Sequence, residues 1–205
     1  MYIQITTRCN MECPHCCFSC TNKGEDMSLE TFREALAMGD EYLTLGGGEP
    51  TMHPLFDQFL LEAIGACDCL LVITNGKNEN RARMLMNLAR KEVLSAELSI
   101  DDYHEPLDSN LEYDWIQALG KRAIRNTTKN QDPVGVGRAV VELGIEPQDK
   151  CMCEDLIVKP NGDLHICGCP DSPCVGDVWT GVQMDIDYSE CWKDQPIEIM
   201  EALGV

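Results

Sequence analysis

Short apolar segments of strand length alternate with longer segments of helical spacing along the first 119 residues of the chain. The predicted strands cover residues 2–7, 43–45, 70–73 and 96–100. The predicted helices cover residues 28–39, 55–64, 78–90 and 111–119. Glycine and polar residues follow the strands, as in parallel βα units whose functional sites lie at the carboxyl edge of the sheet. The pattern therefore predicts an α/β fold built on a parallel sheet.

A different composition begins at Cys151, where Cys, Pro, Gly and Asp become frequent. Two short apolar segments, 156–158 and 164–166, flank the turn sequence Pro160-Asn161-Gly162, which predicts a β-hairpin. We therefore expect a βα core at residues 1–145 and a cysteine-rich extension at residues 146–205.

The charge and cysteine content of the chain exclude several classes of protein. Asp and Glu outnumber Lys and Arg by 35 to 16, for a formal net charge of −19, so we do not expect a nucleic acid partner. No apolar run approaches the roughly 20 residues that span a bilayer, and no secretory signal is evident, so we expect a cytoplasmic protein without a membrane partner. The 13 cysteines then favour metal or redox chemistry over a disulfide scaffold.

Three cysteines with the spacing C-x3-C-x2-C lie on the loop after the first predicted strand, at Cys9, Cys13 and Cys16. Three thiolates can hold an iron–sulfur cluster and leave one iron with an open position for a ligand. Two alternatives use the same segment: a zinc knuckle, and a ferredoxin-like cluster completed by Cys17 or Cys20. The three-cysteine site predicts a metal centre that binds a further ligand.

A second motif, Gly47-Gly48-Glu49-Pro50, ends the second predicted strand, one βα unit after the cysteine loop. Glycines let a backbone approach a ligand closely, and a carboxylate accepts hydrogen bonds from an ammonium group. The two motifs in this order resemble the radical S-adenosylmethionine (SAM) superfamily, and the resemblance covers residues 2–104.

The resemblance implies a [4Fe–4S] cluster on the three cysteines, with the amino and carboxylate groups of SAM on its fourth iron and the Gly-Gly-Glu segment around the amino group. Reductive cleavage of SAM would give methionine and a 5′-deoxyadenosyl radical, which abstracts hydrogen from a substrate. It also implies a partial (βα)6 barrel similar to a TIM barrel, with a small cysteine-rich β-hairpin extension. The alternative from another class is an iron–sulfur electron carrier or a zinc-binding interaction module without SAM chemistry.

Polar residues at later positions are further candidates for contacts with SAM. In similar proteins such positions contact the ribose and carboxylate of SAM, and the corresponding side chains are Asn75, Ser99, Asp101 and Arg138. An arginine suits a carboxylate because its guanidinium can donate two parallel hydrogen bonds. His15, between two of the cluster cysteines, is a candidate adenine contact. The alternatives are ordinary turn chemistry for the three strand-end residues and a surface salt bridge for Arg138.

The loop after the fourth predicted strand continues with Asp102, Tyr103 and His104. These side chains could bind or protonate a substrate at the open end of the sheet, so they are the predicted catalytic residues. We expect the substrate to be a peptide or a small molecule such as a modified nucleobase or an amino acid. An electron donor such as flavodoxin or ferredoxin is the second expected partner.

The cysteine-rich extension is predicted to hold a second metal centre. Its spacing C-x10-G-x4-C, from Cys151 through Gly162 to Cys167, resembles the start of SPASM and twitch segments, which hold auxiliary iron–sulfur clusters. The candidate ligands are Cys151, Cys153, Cys167, Cys169 and Cys174. The full SPASM series of seven cysteines is absent, so we expect at most one cluster; a structural zinc or reduced thiols without metal are the alternatives.

Overall fold

The computed structural model describes residues 1–107, 109–126, 133–146, 156–169 and 172–183. The strands are β1 Tyr2–Gln4, β2 Tyr42–Gly46, β3 Cys69–Thr74, β4 Ser95–Ser99, β5 Ile124–Arg125, β6 Ile157–Val158, β7 Asp163–His165, β8 Cys174–Asp177 and β9 Gly181–Val182. The helices are α1 Leu29–Ala37, α2 Phe56–Ile64, α3 Glu79–Arg90, α4 Ser109–Leu119 and α5 Arg138–Glu142. Within these ranges the strands form one mixed sheet in the order 5-4-3-2-1-6-7-8-9.

The six strands from β5 across to β6 are parallel. The first five follow one another along the chain; the alternating pattern predicts β1 to β4 but not β5, and the mixed α/β fold with a parallel sheet is confirmed. The sixth is the first strand of the hairpin: β6 pairs with β1, with Tyr2 opposite Ile157 and Ile3 opposite Val158. The expected partial barrel concerns the curvature of this sheet and stays a prediction, as does the domain boundary at residue 146.

The predicted hairpin in the extension is confirmed. Strands β6 and β7 are antiparallel around the turn Pro160-Asn161-Gly162, and Gly162 has a φ of +93°, which a residue with a side chain adopts at a cost. Strands β8 and β9 add two further antiparallel pairings. The extension therefore continues the sheet of the core from its β1 edge.

The helices begin where the sequence places capping residues. Ser28 Oγ accepts a hydrogen bond from the backbone N–H of Thr31 at the start of α1, and Asn78 Oδ1 accepts one from Arg81 at the start of α3. Each bond satisfies one N–H that the first turn of a helix leaves without a partner. Within the described ranges, no helix has the length and apolar character that crossing a membrane requires.

The main core lies between the sheet and its helices. The rings of Phe32 on α1 and Phe59 on α2 stack with 4.0 Å between their centroids. The His53 ring also stacks on Phe59, with 4.5 Å between the two centroids. His53 Nε2 lies 3.0 Å from the carbonyl oxygen of Met27. These contacts join α1 to α2 and make His53 a packing residue between them.

The parallel strands bring the predicted site residues to one edge of the sheet. The cysteine loop follows β1, the Gly-Gly-Glu motif follows β2, Asn75 follows β3 and Asp101 follows β4. Since β1 to β4 are mutually parallel, all four segments leave the sheet at its carboxyl edge.

Candidate active site at the carboxyl edge of the sheet

The cysteine loop is held by backbone hydrogen bonds directly after β1. Buried Cys9 donates its N–H to the carbonyl oxygen of Thr21 at 2.6 Å, and the N–H of Cys16 donates to the carbonyl oxygen of Cys13 at 3.1 Å. The three predicted ligands share an apolar cluster with buried Met11. The loop thus places three thiols in a partly dehydrated pocket.

Burial makes two of these thiols weaker acids. It raises the pKa of Cys9 above the ordinary thiol range and the pKa of Cys13 to about 12. A hydrogen bond from Cys20 instead lowers the pKa of Cys16. Because iron and zinc bind the thiolate form, metal binding in this pocket must release protons.

The spacing of the three sulfur atoms bears on the kind of metal centre they can hold. A tetrahedral zinc with Zn–S bonds of ~2.3 Å brings its sulfur ligands within about 3.8 Å of one another. The Sγ atoms of Cys9, Cys13 and Cys16 do not all lie within 4.8 Å of one another. In an iron–sulfur cluster each thiolate binds a different iron, so the three sulfur atoms need not converge on one point.

The Gly-Gly-Glu motif lies against the start of the cysteine loop. The N–H of Gly48 donates to the carbonyl oxygen of Thr6 at 2.7 Å, and the N–H of Glu49 donates to that of Arg8 at 2.8 Å. A Cβ at Gly47 would lie 2.6 Å from the Thr6 carbonyl oxygen, and one at Gly48 would lie 2.4 Å from that of Arg8. The sequence predicts glycines for close approach to a ligand; in the structure they allow close approach of the chain's own backbone.

The Glu49 carboxylate lies at the centre of a buried hydrogen-bond network. Its Oε1 accepts from the Thr51 N–H at 3.1 Å, from the Thr51 hydroxyl and from the Thr74 hydroxyl at 2.8 Å, and its Oε2 accepts from the Asn75 N–H at 2.7 Å. Burial raises the pKa of Glu49, while these hydrogen bonds oppose the shift. A carboxylate oxygen can accept two hydrogen bonds, so Oε2 keeps one acceptor position.

Asn75 connects this network to the cysteine loop. Its Nδ2 donates to Oδ1 of Asn10 at 2.8 Å and lies 3.7 Å from Sγ of Cys9. Its backbone N–H is the donor to Glu49 described above. The structure therefore brings a predicted cluster ligand and two predicted SAM contacts into one contact chain, and sequence reasoning had missed Asn10, Thr51 and Thr74 as its supports.

The loop after β4 forms a second group of polar side chains. Asp101 Oδ1 accepts hydrogen bonds from Nδ1 of His104 at 2.7 Å and from the N–H of Tyr103 at 2.9 Å, and Oδ2 lies 3.5 Å from Nε2 of His15. Although burial raises the pKa of Asp101, the bond from His104 and the neighbouring histidines hold it well below its usual range. The His15 ring packs 5.0 Å from Tyr103 and 4.9 Å from His104. His15 thus belongs to the same group as two of the predicted catalytic residues.

A cavity of about 340 Å³ opens beside this group. Ser99, Asp101, Asp102 and His104 are among the residues that line it. Asp101 Oδ2 and His15 Nδ1 are buried polar atoms without a hydrogen-bond partner in the described part of the chain. Because buried polar atoms normally have partners, these two are exceptions within the group.

Arg138 lies at the start of α5 and binds the backbone of the cysteine loop. Its Nη1 donates to the carbonyl oxygen of Cys13 at 2.9 Å, its Nη2 donates to that of Cys20, and its backbone N–H donates to that of Cys16 at 3.0 Å. Gly137 has a φ of +58°, and a Cβ there would lie 2.7 Å from the Cys16 carbonyl oxygen. The role of Arg138 as a contact for the SAM carboxylate stays a prediction, while the structure adds a role in holding the loop.

The five cysteines predicted as ligands in the extension are only partly described. Cys151 and Cys153 lie outside the described residues. Cys167 and Cys169 are buried, with the N–H of Cys169 lying 3.4 Å from Sγ of Cys167, and Cys174 is exposed on β8. The structure therefore does not bring the five together as one described site.

Comparison with known proteins shows to which family the chain is similar. A family model described as the radical SAM superfamily matches residues 3–162. An S-adenosylmethionine-dependent nucleotide dehydratase from Thermoplasmatales archaeon (strain ISO4-H5) is 32% identical over 77 residues, which are 36% of this chain and 28% of that protein. The chain thus matches less than a third of the length of this relative.

Two solved structures are similar to this chain over most of its length. The structure of anSMEcpe with bound AdoMet superposes with a TM-score of 0.54 at 15% identity, over 94% of this chain and 80% of that chain. Streptococcus suis SuiB bound to S-adenosylmethionine gives a TM-score of 0.41 at 13% identity, over 94% of this chain and 64% of that chain. The first of these likenesses supports the fold described above.

The family match covers well over half of the chain and includes both motifs that carry the predicted resemblance. It also includes the loop after β4 and the segment that contains Arg138. The expected resemblance is therefore confirmed, and it favours an enzyme over an electron carrier or a zinc-binding module. Because the match extends across the cysteine loop and the neighbouring strand ends, the chain belongs to the radical SAM superfamily of enzymes.

Proposed function

We propose that this chain binds SAM beside a [4Fe–4S] cluster on Cys9, Cys13 and Cys16, and uses it to abstract hydrogen from a substrate. When bound, such a cluster supplies the electron that cleaves SAM into methionine and a 5′-deoxyadenosyl radical. The observation that carries the proposal is the contact chain from Cys9 through Asn75 to Glu49. This chain of contacts joins the metal-binding loop to the predicted SAM-binding motif across three strand ends.

Glu49 is the proposed acceptor for the ammonium group of SAM. Its Oε2 keeps one acceptor position, and the donors on Thr51, Thr74 and Asn75 orient the carboxylate before SAM arrives. A bound ammonium group would favour the charged form of a carboxylate that burial alone makes harder to ionise. Ser99 and Arg138 are proposed as further contacts to SAM.

We assign substrate contacts to Asp102, Tyr103 and His104. Asp101 orients the His104 imidazole through a hydrogen bond of 2.7 Å. The ring of His15 packs against the rings of Tyr103 and His104. The cavity of about 340 Å³ beside them is large enough for a small molecule or for one side chain of a peptide. The named activity of the archaeal relative, on a nucleotide, falls in the small-molecule class.

Three further features belong to this proposal. An electron donor such as flavodoxin or ferredoxin supplies the reducing equivalent, and the reaction takes place in the cytoplasm. The extension holds a second metal centre, either an iron–sulfur cluster or a zinc ion, on ligands drawn from its cysteines.

Glu49→Gln is expected to weaken SAM binding and to destabilise the fold at the same time. A charge-assisted hydrogen bond contributes about 1.5–3 kcal/mol, so SAM affinity should fall by roughly 10- to 100-fold. The new amide must also direct an NH2 at one of the donors around Glu49, which should lower the free energy of unfolding by about 1–3 kcal/mol. Equilibrium SAM binding and chemical denaturation measure the two effects.

Glu41→Gln is the matched control, because Glu41 has an exposed side chain far from this network. It should change neither SAM affinity nor stability by a measurable amount. A Glu49→Gln protein that carries its full iron content and binds SAM as tightly as the wild type would contradict the assigned role.

A further inference from the structure

Strand register in the extension brings three metal-binding side chains to one face of the sheet. Asp163 and His165 are two residues apart on β7, so their side chains point to the same face. Cys174 on β8 is the cross-strand partner of His165. One ligand atom of each residue lies within 4.8 Å of the ligand atoms of the other two.

A hydrogen bond fixes the tautomer of the His165 ring. Its Nδ1 lies 2.8 Å from the carbonyl oxygen of Ser172, and since a carbonyl can only accept, Nδ1 carries the proton. The lone pair is therefore on Nε2. A histidine ligand almost always donates its second nitrogen to such a partner, which fixes the tautomer and the direction of the ring.

The other two side chains suit the same ion. Asp163 Oδ2 accepts a hydrogen bond from Nδ2 of Asn161 at 2.7 Å, which orients the carboxylate. The Cys174 thiol is exposed on β8, where it donates a hydrogen bond to the carbonyl oxygen of Gly176 at 3.2 Å, so its sulfur is accessible to an ion from solvent. One carboxylate, one thiolate and one neutral imidazole together balance the charge of a divalent cation.

We propose that Asp163, His165 and Cys174 bind one Zn²⁺, which links β7 to β8 and keeps a fourth position for water. Mixed nitrogen, oxygen and sulfur ligands are typical of zinc, whereas iron–sulfur clusters are held mainly by thiolates. The site shares no residue with the cysteine loop, so it does not depend on the proposed SAM chemistry. It assigns Cys174 to a zinc ion and gives a role to two residues that the cysteine spacing does not reveal.

Metal content of the full chain tests the site. Protein purified without oxygen in the presence of Zn²⁺ and washed with a weak chelator should carry one zinc equivalent at this site. Cys174→Ala and His165→Ala should each lose it, whereas Cys69→Ala, which removes another exposed thiol, should keep it. Co²⁺ in place of zinc gives a second readout in the Cys9, Cys13 and Cys16 triple Ala background, where the thiolate-to-cobalt absorption should fall when Cys174→Ala is added.

Two results would overturn the proposal. One is an equal zinc content in the wild type, Cys174→Ala and His165→Ala. The other is a Cys9, Cys13 and Cys16 triple Ala variant that retains about four irons and no zinc, which would show a cubane cluster in the extension instead. If His165→Ala does not fold, Asp163→Asn at the partly exposed β7 position replaces it in the comparison. Loss of SAM cleavage alone would leave the zinc content unchanged, so the two proposals fail separately.

Discussion

Cys13→Ala protein is expected to lose the iron of the cysteine loop and to form no 5′-deoxyadenosine above the level of a cluster-free control. A three-thiolate site has no spare ligand, and the open fourth iron is the position at which SAM is proposed to bind. Iron content after anaerobic reconstitution and 5′-deoxyadenosine formed from SAM with dithionite measure the two losses. Cys9→Ala and Cys16→Ala should give the same result.

Cys17→Ala is the matched control on the same loop. Burial raises the pKa of Cys17 to about 11, and a Cβ at Gly137 would lie 2.3 Å from the Cys17 carbonyl oxygen, so the backbone of Cys17 packs against Gly137. This variant should keep both iron and SAM cleavage. Retained cleavage in Cys13→Ala would instead mean that Cys17 or Cys20 is a ligand, and the assignment of the three cysteines would be wrong.

Arg138→Ala should release the cysteine loop without removing a cluster ligand. The guanidinium donates to the carbonyl oxygens of Cys13 and Cys20, and hydrogen bonds from a charged group contribute about 1.5–3 kcal/mol each. Loss of both bonds should lower the free energy of unfolding by about 3 kcal/mol or more and should speed the transfer of iron to a chelator. The rate of iron loss distinguishes this positioning role from a contact with SAM alone.

Two variants serve as comparisons for Arg138→Ala. Arg138→Lys keeps the charge, but a lysine ammonium group lacks the planar pair of N–H donors that reaches two carbonyl oxygens. It should therefore restore only part of the free energy of unfolding that Arg138→Ala loses. Arg33→Ala removes an exposed arginine that is paired with Glu62 and should change iron loss very little. If Arg138→Ala weakens SAM binding but loses iron as slowly as Arg33→Ala, Arg138 contacts SAM and does not hold the loop.

Local patterns in the sequence predicted most of the core. The alternation of apolar segments identified β1 to β4 and α1 to α4, and Ser28 and Asn78 marked two helix starts, because periodicity and capping depend on neighbouring residues. The pairing of β6 with β1 was not predictable in the same way. This pairing joins Ile157 to Tyr2, which are far apart in the sequence, and neither short strand carries a pattern that specifies so distant a partner.

Contacts between segments distant in sequence were also not predictable at the candidate active site. The spacing of the cysteines and of Gly47–Glu49 revealed the chemistry, because each motif is contiguous. The contacts that hold those motifs come from distant segments: Thr74 and Asn75 on Glu49, and Arg138 on the loop. The proposed zinc ligands likewise depend on cross-strand register, which the hairpin prediction left unspecified.

Formation of 5′-deoxyadenosine from SAM tests the central claim most directly. The wild-type protein is reconstituted with iron and sulfide without oxygen, reduced with dithionite and incubated with SAM, and the products are separated by chromatography. The proposed function predicts 5′-deoxyadenosine and methionine in equal amounts, in the wild type and in Cys17→Ala but not in Cys13→Ala. Wild-type protein with a full iron content that forms no 5′-deoxyadenosine above the cluster-free control would contradict it.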